Sequence, residues 1–213
     1  MTIKRIVIFT GGNLSVELLQ EIQEDDMIIA ADRGALFLIE HGIQPHIAVG
    51  DFDSITEEEL TIVSNNSIKF ITCDPVHKDL TDTEMAFETA LDHEPSHILM
   101  FGATGTRMDH TLANVHIMVR AMQHHISCVI QDKHNYMTLT TSRAVVEHRD
   151  YKYVSLLPLT HEVTGITLEG FMYPLDQATI RMGQSLGVSN KLLGTSGTVT
   201  IDSGLLLIIQ SKD

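Results

Sequence analysis

The chain has 213 residues, 43% of them hydrophobic, and a formal net charge of −14 from 14 Lys and Arg against 28 Asp and Glu. That length fits one large or two small domains with a proper core. The acidic balance excludes a typical nucleic-acid binder, which carries a basic face.

Residues 6–9 form the first predicted strand; the apolar run there is too short for a signal-peptide core. Further apolar runs at 28–31, 47–49, 68–71 and 98–101 also read as short buried strands. Helical patterns lie between them. Leu14, Leu18, Leu19 and Ile22 recur at helical spacing, and residues 36–40 end at His41-Gly42, a C-cap signal. Thr56 starts an acidic helix. Thr81 to Glu84 matches a capping box, with Thr81 at N-cap and Glu84 at N3. Asp109 caps a helix carrying Leu112, Val115, Val119 and Met122, and residues 127–130 form a further strand. This alternation implies a mainly parallel sheet with crossover helices, a Rossmann-like α/β domain over residues 1–137.

From residue 138 to 213 the texture changes. Short strand candidates at 151–157, 163–169, 178–182, 199–201 and 205–209 are separated by Gly, Asp, Asn and Ser, with no helical pattern. This second domain is expected to be an all-β antiparallel sandwich. No apolar run reaches the roughly 20 residues of a membrane helix. Cys73 and Cys128 supply neither a disulfide framework nor metal-ligand spacing, so a reducing cytoplasm is the expected compartment.

In open α/β sheets, ligands collect beyond the carboxyl ends of the strands. Those ends carry Thr10-Gly11-Gly12-Asn13, Asp32-Arg33-Gly34, Gly50-Asp51-Phe52-Asp53-Ser54, Thr72 through Asp82, and the stretch from Gly102 to Asp109. Glycine, carboxylate and cation recur at one topological edge, which argues for one site assembled from many loops. Asp51 and Asp53 leave a buried strand one residue apart and suit a hard cation such as Mg²⁺; ordinary strand-end and turn chemistry is the alternative. Asp82 reads either as a third ligand or as a carboxylate favoured by the helix dipole. Lys78 offers a compact charge for a phosphate oxygen.

The two glycines of the stretch from Gly102 to Asp109 let backbone N–H groups approach phosphate at a helix N-terminus, and Arg107 adds a bidentate cation. A plain glycine turn capped by Asp109 stays open, since neither Walker A nor G-x-G-x-x-G is present. The twelve histidines form no ligand set, though His110 is placed to line the cleft. In the second half, Tyr173 offers a ring for stacking on an aromatic substrate, and Gly187-Val188-Ser189-Asn190 reads as a polar turn.

Taken in order, Asp32-Arg33-Gly34-Ala35, Gly50-Asp51-Phe52-Asp53-Ser54, Lys78-Asp79-x-Thr81-Asp82-Thr83-Glu84, Gly102-Ala103-Thr104-Gly105-x-Arg107-x-Asp109-His110, the segment from Gly165 to Leu175, and Gly187-Val188-Ser189-Asn190 resemble thiamine pyrophosphokinase, over nearly the whole chain. Thr106 stands where many relatives have glycine. The resemblance implies Mg²⁺-dependent transfer of the diphosphoryl group of ATP to thiamine, giving thiamine diphosphate and AMP. It implies that Asp51, Asp53 and Asp82 hold the metal and act in catalysis. It places Lys78, Thr104, Arg107 and Asp109 in the ATP site, with Asn13 and Asp32 at its edge, and Tyr173, Ser189 and Asn190 on thiamine. It also implies a homodimer whose active sites lie between one subunit's α/β domain and the other's sandwich.

Two other readings compete. In a phosphohydrolase of the haloacid-dehalogenase kind, Asp51 would be a nucleophile. A non-catalytic thiamine or nucleotide sensor would bind ligand without forming AMP.

Overall fold

The computed structural model describes residues 5–72 and 80–213. Lys78, a candidate phosphate partner, and Cys73 lie outside the described residues. The chain divides into two compact units between Lys133 and His134.

In the N-terminal unit, strands β1 (Arg5–Phe9), β2 (Met27–Ala31), β3 (Ile47–Gly50), β4 (Lys69–Thr72), β5 (His97–Phe101) and β6 (Ser127–Gln131) alternate with helices α1 (Arg33–Glu40), α2 (Glu57–Asn66), α3 (Asp82–Leu91) and α4 (Met108–Gln123). The strands pair in the order β4-β3-β2-β1-β5-β6, all parallel. Helices cover both faces of such a sheet, so its central strands are buried on both sides and read as unbroken apolar runs. Ile6, Val7, Ile8 and Phe9 are all fully buried. Strand order reverses between β1 and β5, and ligands bind at the carboxyl edge of such a switch point.

Helix α2 is closed by a full capping box, with Thr56 accepting from Glu59 N and Glu59 reaching back to Thr56 N at 2.7 Å. Thr81 likewise accepts from Glu84 N at 3.2 Å, but the expected reciprocal half of a box is not seen there. The Glu84 carboxylate instead meets Arg120 of α4 at 2.7 Å, a charged partner that outcompetes the backbone amide.

Three local expectations are corrected. The segment holding Leu14 to Ile22 forms a short 3-10 helix over Val16–Glu21, bonded from residue to residue three on, not an α-helix. Only Leu18 is buried there. The cap of α4 is Arg107, with Asp109 in the first turn. The buried stripe of α4 is Asn114, Val115, Ile117, Met118 and Ala121, and Leu112 is exposed. The predicted face was rotated because Asn114, a polar residue, occupies a core position.

The C-terminal unit is antiparallel β throughout its named elements. Strands β7 (Asn135–Thr140), β9 (Tyr153–Pro158) and β13 (Leu206–Ser211) form one group in the order β7-β13-β9. Strands β8 (Arg143–Glu147), β10 (Glu162–Glu169), β11 (Ala178–Arg181) and β12 (Ser196–Thr200) form the other, in the order β11-β10-β12-β8. Their inward residues, among them Val146, Val154, Leu156, Ile166, Val199 and Ile208, share one core. Strands β7 and β8 lie in a stretch where no strand was predicted.

Candidate active site

The loops that leave β1, β2, β3 and β5, with the start of α3, enclose a cleft of about 410 Å³. Its walls include Gly11, Gly12, Gly102 and Gly105, the carboxylates Asp32, Asp53 and Asp82, the cations Arg33 and Arg107, and His110.

The close approach of two of these loops depends on glycine. A Cβ on Gly12 would lie 2.2 Å from the carbonyl oxygens of both Gly102 and Thr104. With no side chain in the way, Gly12 N donates to Gly102 O at 2.9 Å and Asn13 N to Thr104 O at 2.7 Å.

Opposite these loops stand four acidic side chains. One oxygen from each of Asp32, Asp51 and Asp53 lies within 4.8 Å of the others. Asp82 joins them at the start of α3, where its Oδ1 accepts from Asp51 N at 3.3 Å. The turn between is held tightly: Asp32 Oδ1 accepts from Phe52 N at 3.0 Å, and Asp51 Oδ1 from Asp53 N at 3.1 Å. Asp32 and Phe52 both adopt positive φ, 47° and 57°. Such conformations in non-glycine residues cost about 1–3 kcal/mol each and persist where the surroundings over-determine them. Here the buried Phe52 ring stacks on Phe70 with centroids 4.9 Å apart, and its amide is fixed by Asp32.

Crowding shows in the titration of the group. Burial first, then the neighbouring charge of Asp82, pushes the Asp32 carboxyl up to about 7. Asp82 is also raised, chiefly by burial. Both carboxyls therefore hold their protons to higher pH than an ordinary carboxylate does.

Not every candidate faces the cleft. Arg107 lines it and is exposed, paired with Asp109 at 2.6 Å, which holds the Asp109 carboxyl below its usual range. Asp109 itself is not among the residues that line the cleft. Asn13 meets the loop after β5 through its backbone amide. The Thr104 side chain is turned to Asp132, its hydroxyl donating to Oδ2 at 2.5 Å. In the C-terminal unit, Tyr173 is 60% exposed and Ser189 donates its N–H to Ser155 Oγ at 3.1 Å. Asn190 is buried, and its amide clamps the backbone of Tyr173: Oδ1 accepts from Tyr173 N at 3.0 Å and Nδ2 donates to Tyr173 O at 2.7 Å.

Sequence reasoning placed Arg33 at the ligand edge of the sheet but gave it no role on a ligand, and missed Thr111, Asn114 and Asp132 around the loop after β5. A polar residue on the core stripe of α4 was the available signal for Asn114.

Residues 18–130 match the family described as thiamin pyrophosphokinase, catalytic domain, and residues 141–206 match the thiamin pyrophosphokinase vitamin B1 binding domain. Thiamine pyrophosphokinase from Bacillus subtilis is 33% identical over 99% of this chain and all of its own length. The chain belongs to the thiamine pyrophosphokinase family.

The crystal structure of the Bacillus subtilis thiamine pyrophosphokinase superposes with a TM-score of 0.91, over 99% of this chain and 100% of that one. That from Geobacillus thermodenitrificans, also 33% identical, gives 0.88 with 98% of each chain covered. Yeast thiamin pyrophosphokinase, at 13% identity and a TM-score of 0.77 over 98% of this chain and 86% of its own, shares the fold. The known reaction of thiamine pyrophosphokinases is transfer of the diphosphoryl group of ATP to thiamine, and this chain is an enzyme of that family. The match to the catalytic domain spans Asp32, Asp51, Asp53, Asp82 and Arg107; the match to the B1-binding domain spans Tyr173, Ser189 and Asn190.

Proposed function

We propose that the diphosphoryl transfer runs in the cleft of the N-terminal unit with Mg²⁺ held by Asp51, Asp53 and Asp82, and that Asp32 completes the acidic set. The convergence of these carboxylates from β2, β3 and α3 carries the reading. All are hard oxygen donors suited to Mg²⁺. Asp32 and Asp82 are raised first by burial and then by neighbouring carboxylate charge, and a divalent cation offsets both. When bound, the metal offsets negative charge on the phosphate oxygens.

The protein's own groups position the reactants. Glycine-lined loops after β1 and β5 let backbone come close to the triphosphate, while Arg33 and Arg107 supply positive charge along the same wall. The thiamine hydroxyl oxygen forms a bond to the β-phosphorus. The bond from that phosphorus to the oxygen bridging it to the α-phosphate breaks, and AMP leaves with the electron pair. The hydroxyl proton passes to a carboxylate of the cluster or to the phosphate itself. Such chemistry depends chiefly on alignment and electrostatics.

Tyr173 and Ser189 serve thiamine in this proposal, with Asn190 acting through its grip on the Tyr173 backbone. The working enzyme is a cytoplasmic homodimer in which one subunit's α/β domain is completed by the other's sandwich. Mixing inactive Asp53→Asn and Tyr173→Ala subunits then regains part of the activity, whereas sites built within one chain regain none. Among the described residues, no helix is long and apolar enough to cross a membrane.

The deciding experiment measures AMP released from ATP with and without thiamine, then with EDTA. The expected result is AMP formation that needs both thiamine and a divalent ion. Phosphate release without thiamine would point instead to a hydrolase using Asp51 as nucleophile.

A further inference from the structure

The first three carbonyls of the loop that follows β5 are each tied down. Thr10 Oγ1 at 2.6 Å and Gly12 N at 2.9 Å donate to Gly102 O. Asn114 Nδ2 donates to Ala103 O at 2.7 Å, and Asn13 N to Thr104 O at 2.7 Å. The Thr104 hydroxyl donates to Asp132 Oδ2 at 2.5 Å. Three of these partners are buried polar side chains: Thr10, just past β1 and 2% exposed, and two that come from farther along the chain. Asn114, midway along α4, and Asp132, just past β6, are each only 5% exposed. Burying an amide or a carboxylate is costly unless it is hydrogen-bonded, and both make a bond to this one loop.

The consequence concerns which groups the loop can show an anion. A hydroxyl has a single proton to donate. Thr104 gives its proton to Asp132, so its side chain has none left for a phosphate oxygen. The carbonyl oxygens of Gly102, Ala103 and Thr104 are likewise engaged elsewhere, which removes three repulsive dipoles from the path of a phosphate. What remains for an anion is backbone N–H, the donor type that binds phosphate at the entrance to a helix.

We propose that Asn114 and Asp132 are positioning residues for the nucleotide. They fix the backbone of residues 102–104 so that its amides, not its carbonyls or the Thr104 hydroxyl, meet the phosphates of ATP. This rests on the reading of the cleft as the ATP site. Donors fixed in place before binding need no reorganisation when charge arrives.

The test is calorimetric titration of the full chain with ATP and Mg²⁺, beside KM for thiamine. Asn114→Ala and Asp132→Ala are each expected to weaken ATP binding about tenfold, the order of one lost hydrogen bond with its partner left unsatisfied. Asp132→Asn keeps an oxygen to accept from Thr104 and is expected to recover most of the affinity, which a general loss of packing would not do. KM for thiamine is expected to stay within about twofold of wild type, since the lost contact is to the other substrate. Should an alanine variant fail to fold, isosteric Asn114→Asp, which lacks the donor to Ala103, takes its place. Unchanged ATP affinity in a folded Asn114 variant, or a thiamine KM rising in parallel with the ATP constant, overturns the proposal. If wild type forms no AMP, the kinase reading falls while the ATP titration still decides the role of these two residues.

Discussion

Asp53→Asn is expected to lower Mg²⁺-dependent AMP formation by about 10²–10³-fold, the usual scale for removing one electrostatic contact to a transition state, while leaving the thermal midpoint nearly unchanged. The separation of the two effects follows from where Asp53 sits. Its side chain is exposed, lines the cleft, and makes no hydrogen bond among the described residues. Surface substitutions away from caps, cores and networks usually change stability by no more than about 0.5 kcal/mol. Loss of one negative charge from a crowded acidic set should even relieve repulsion in the metal-free protein.

The neighbouring carboxylates make poorer probes. Asp51 Oδ1 holds the Asp53 amide, and Asp32 Oδ1 holds Phe52 in its positive-φ conformation. Their replacement mixes metal binding with the shape of the turn. Initial rates across a Mg²⁺ titration, beside thermal melts in EDTA, separate the two. Equal loss of turnover and stability would make Asp53 a structural residue and would remove the metal reading of Asp51-Phe52-Asp53.

Legibility of this chain in its sequence followed burial. The central strands of the N-terminal unit could be read because they are buried on both faces and therefore apolar without interruption, as Ile6 to Phe9 show, whereas edge strand β4 is exposed or half-buried throughout. Strands β7 and β8 could not. Their burial runs with Tyr136 and Thr138 half-buried and Val145 exposed, so no clean alternation marks them against the loop residues nearby. The same rule governs the site. Asp51 and Asp53 stand out because charged residues beside a buried strand are conspicuous.

Asp132, Asn114 and the grip of Asn190 on its partner were hidden for the opposite reason. Each residue is polar and buried, and its partner lies 11 to 28 residues away in the chain, at Thr104, Ala103 and Tyr173 respectively. No local pattern announces such a partnership. Asn190 has a structural task besides the thiamine role expected of it: it lies in the expected polar turn, and its amide holds the Tyr173 backbone.

In EDTA, the protein is expected to lose stability as pH rises from about 4 to about 7. The sign follows from the direction of the Asp32 shift. The folded state lifts the Asp32 carboxyl from 3.8 to about 7, mainly by burial and then by the charge of Asp82. A carboxyl raised on folding binds its proton more tightly in the native state. Its contribution is therefore complete below the unfolded value and is lost as pH climbs through the folded one. Asp82 is shifted the same way, chiefly by burial, so the loss belongs to the pair and not to either residue alone.

A divalent ion reverses the balance, because the ionised carboxylates that repel one another in its absence become its ligands. The gain in thermal midpoint on adding Mg²⁺ is thus expected to be larger at pH 8 than at pH 5.5, with protons and metal competing for one set of oxygens. Asp32→Asn should flatten the pH dependence measured in EDTA, since it leaves a neutral group at the most buried position. Melting curves at both pH values, with EDTA and with saturating Mg²⁺, make the comparison. A metal-free protein as stable at pH 8 as at pH 5.5, or a Mg²⁺ effect independent of pH, would mean that these carboxylates do not interact at the distances seen between them.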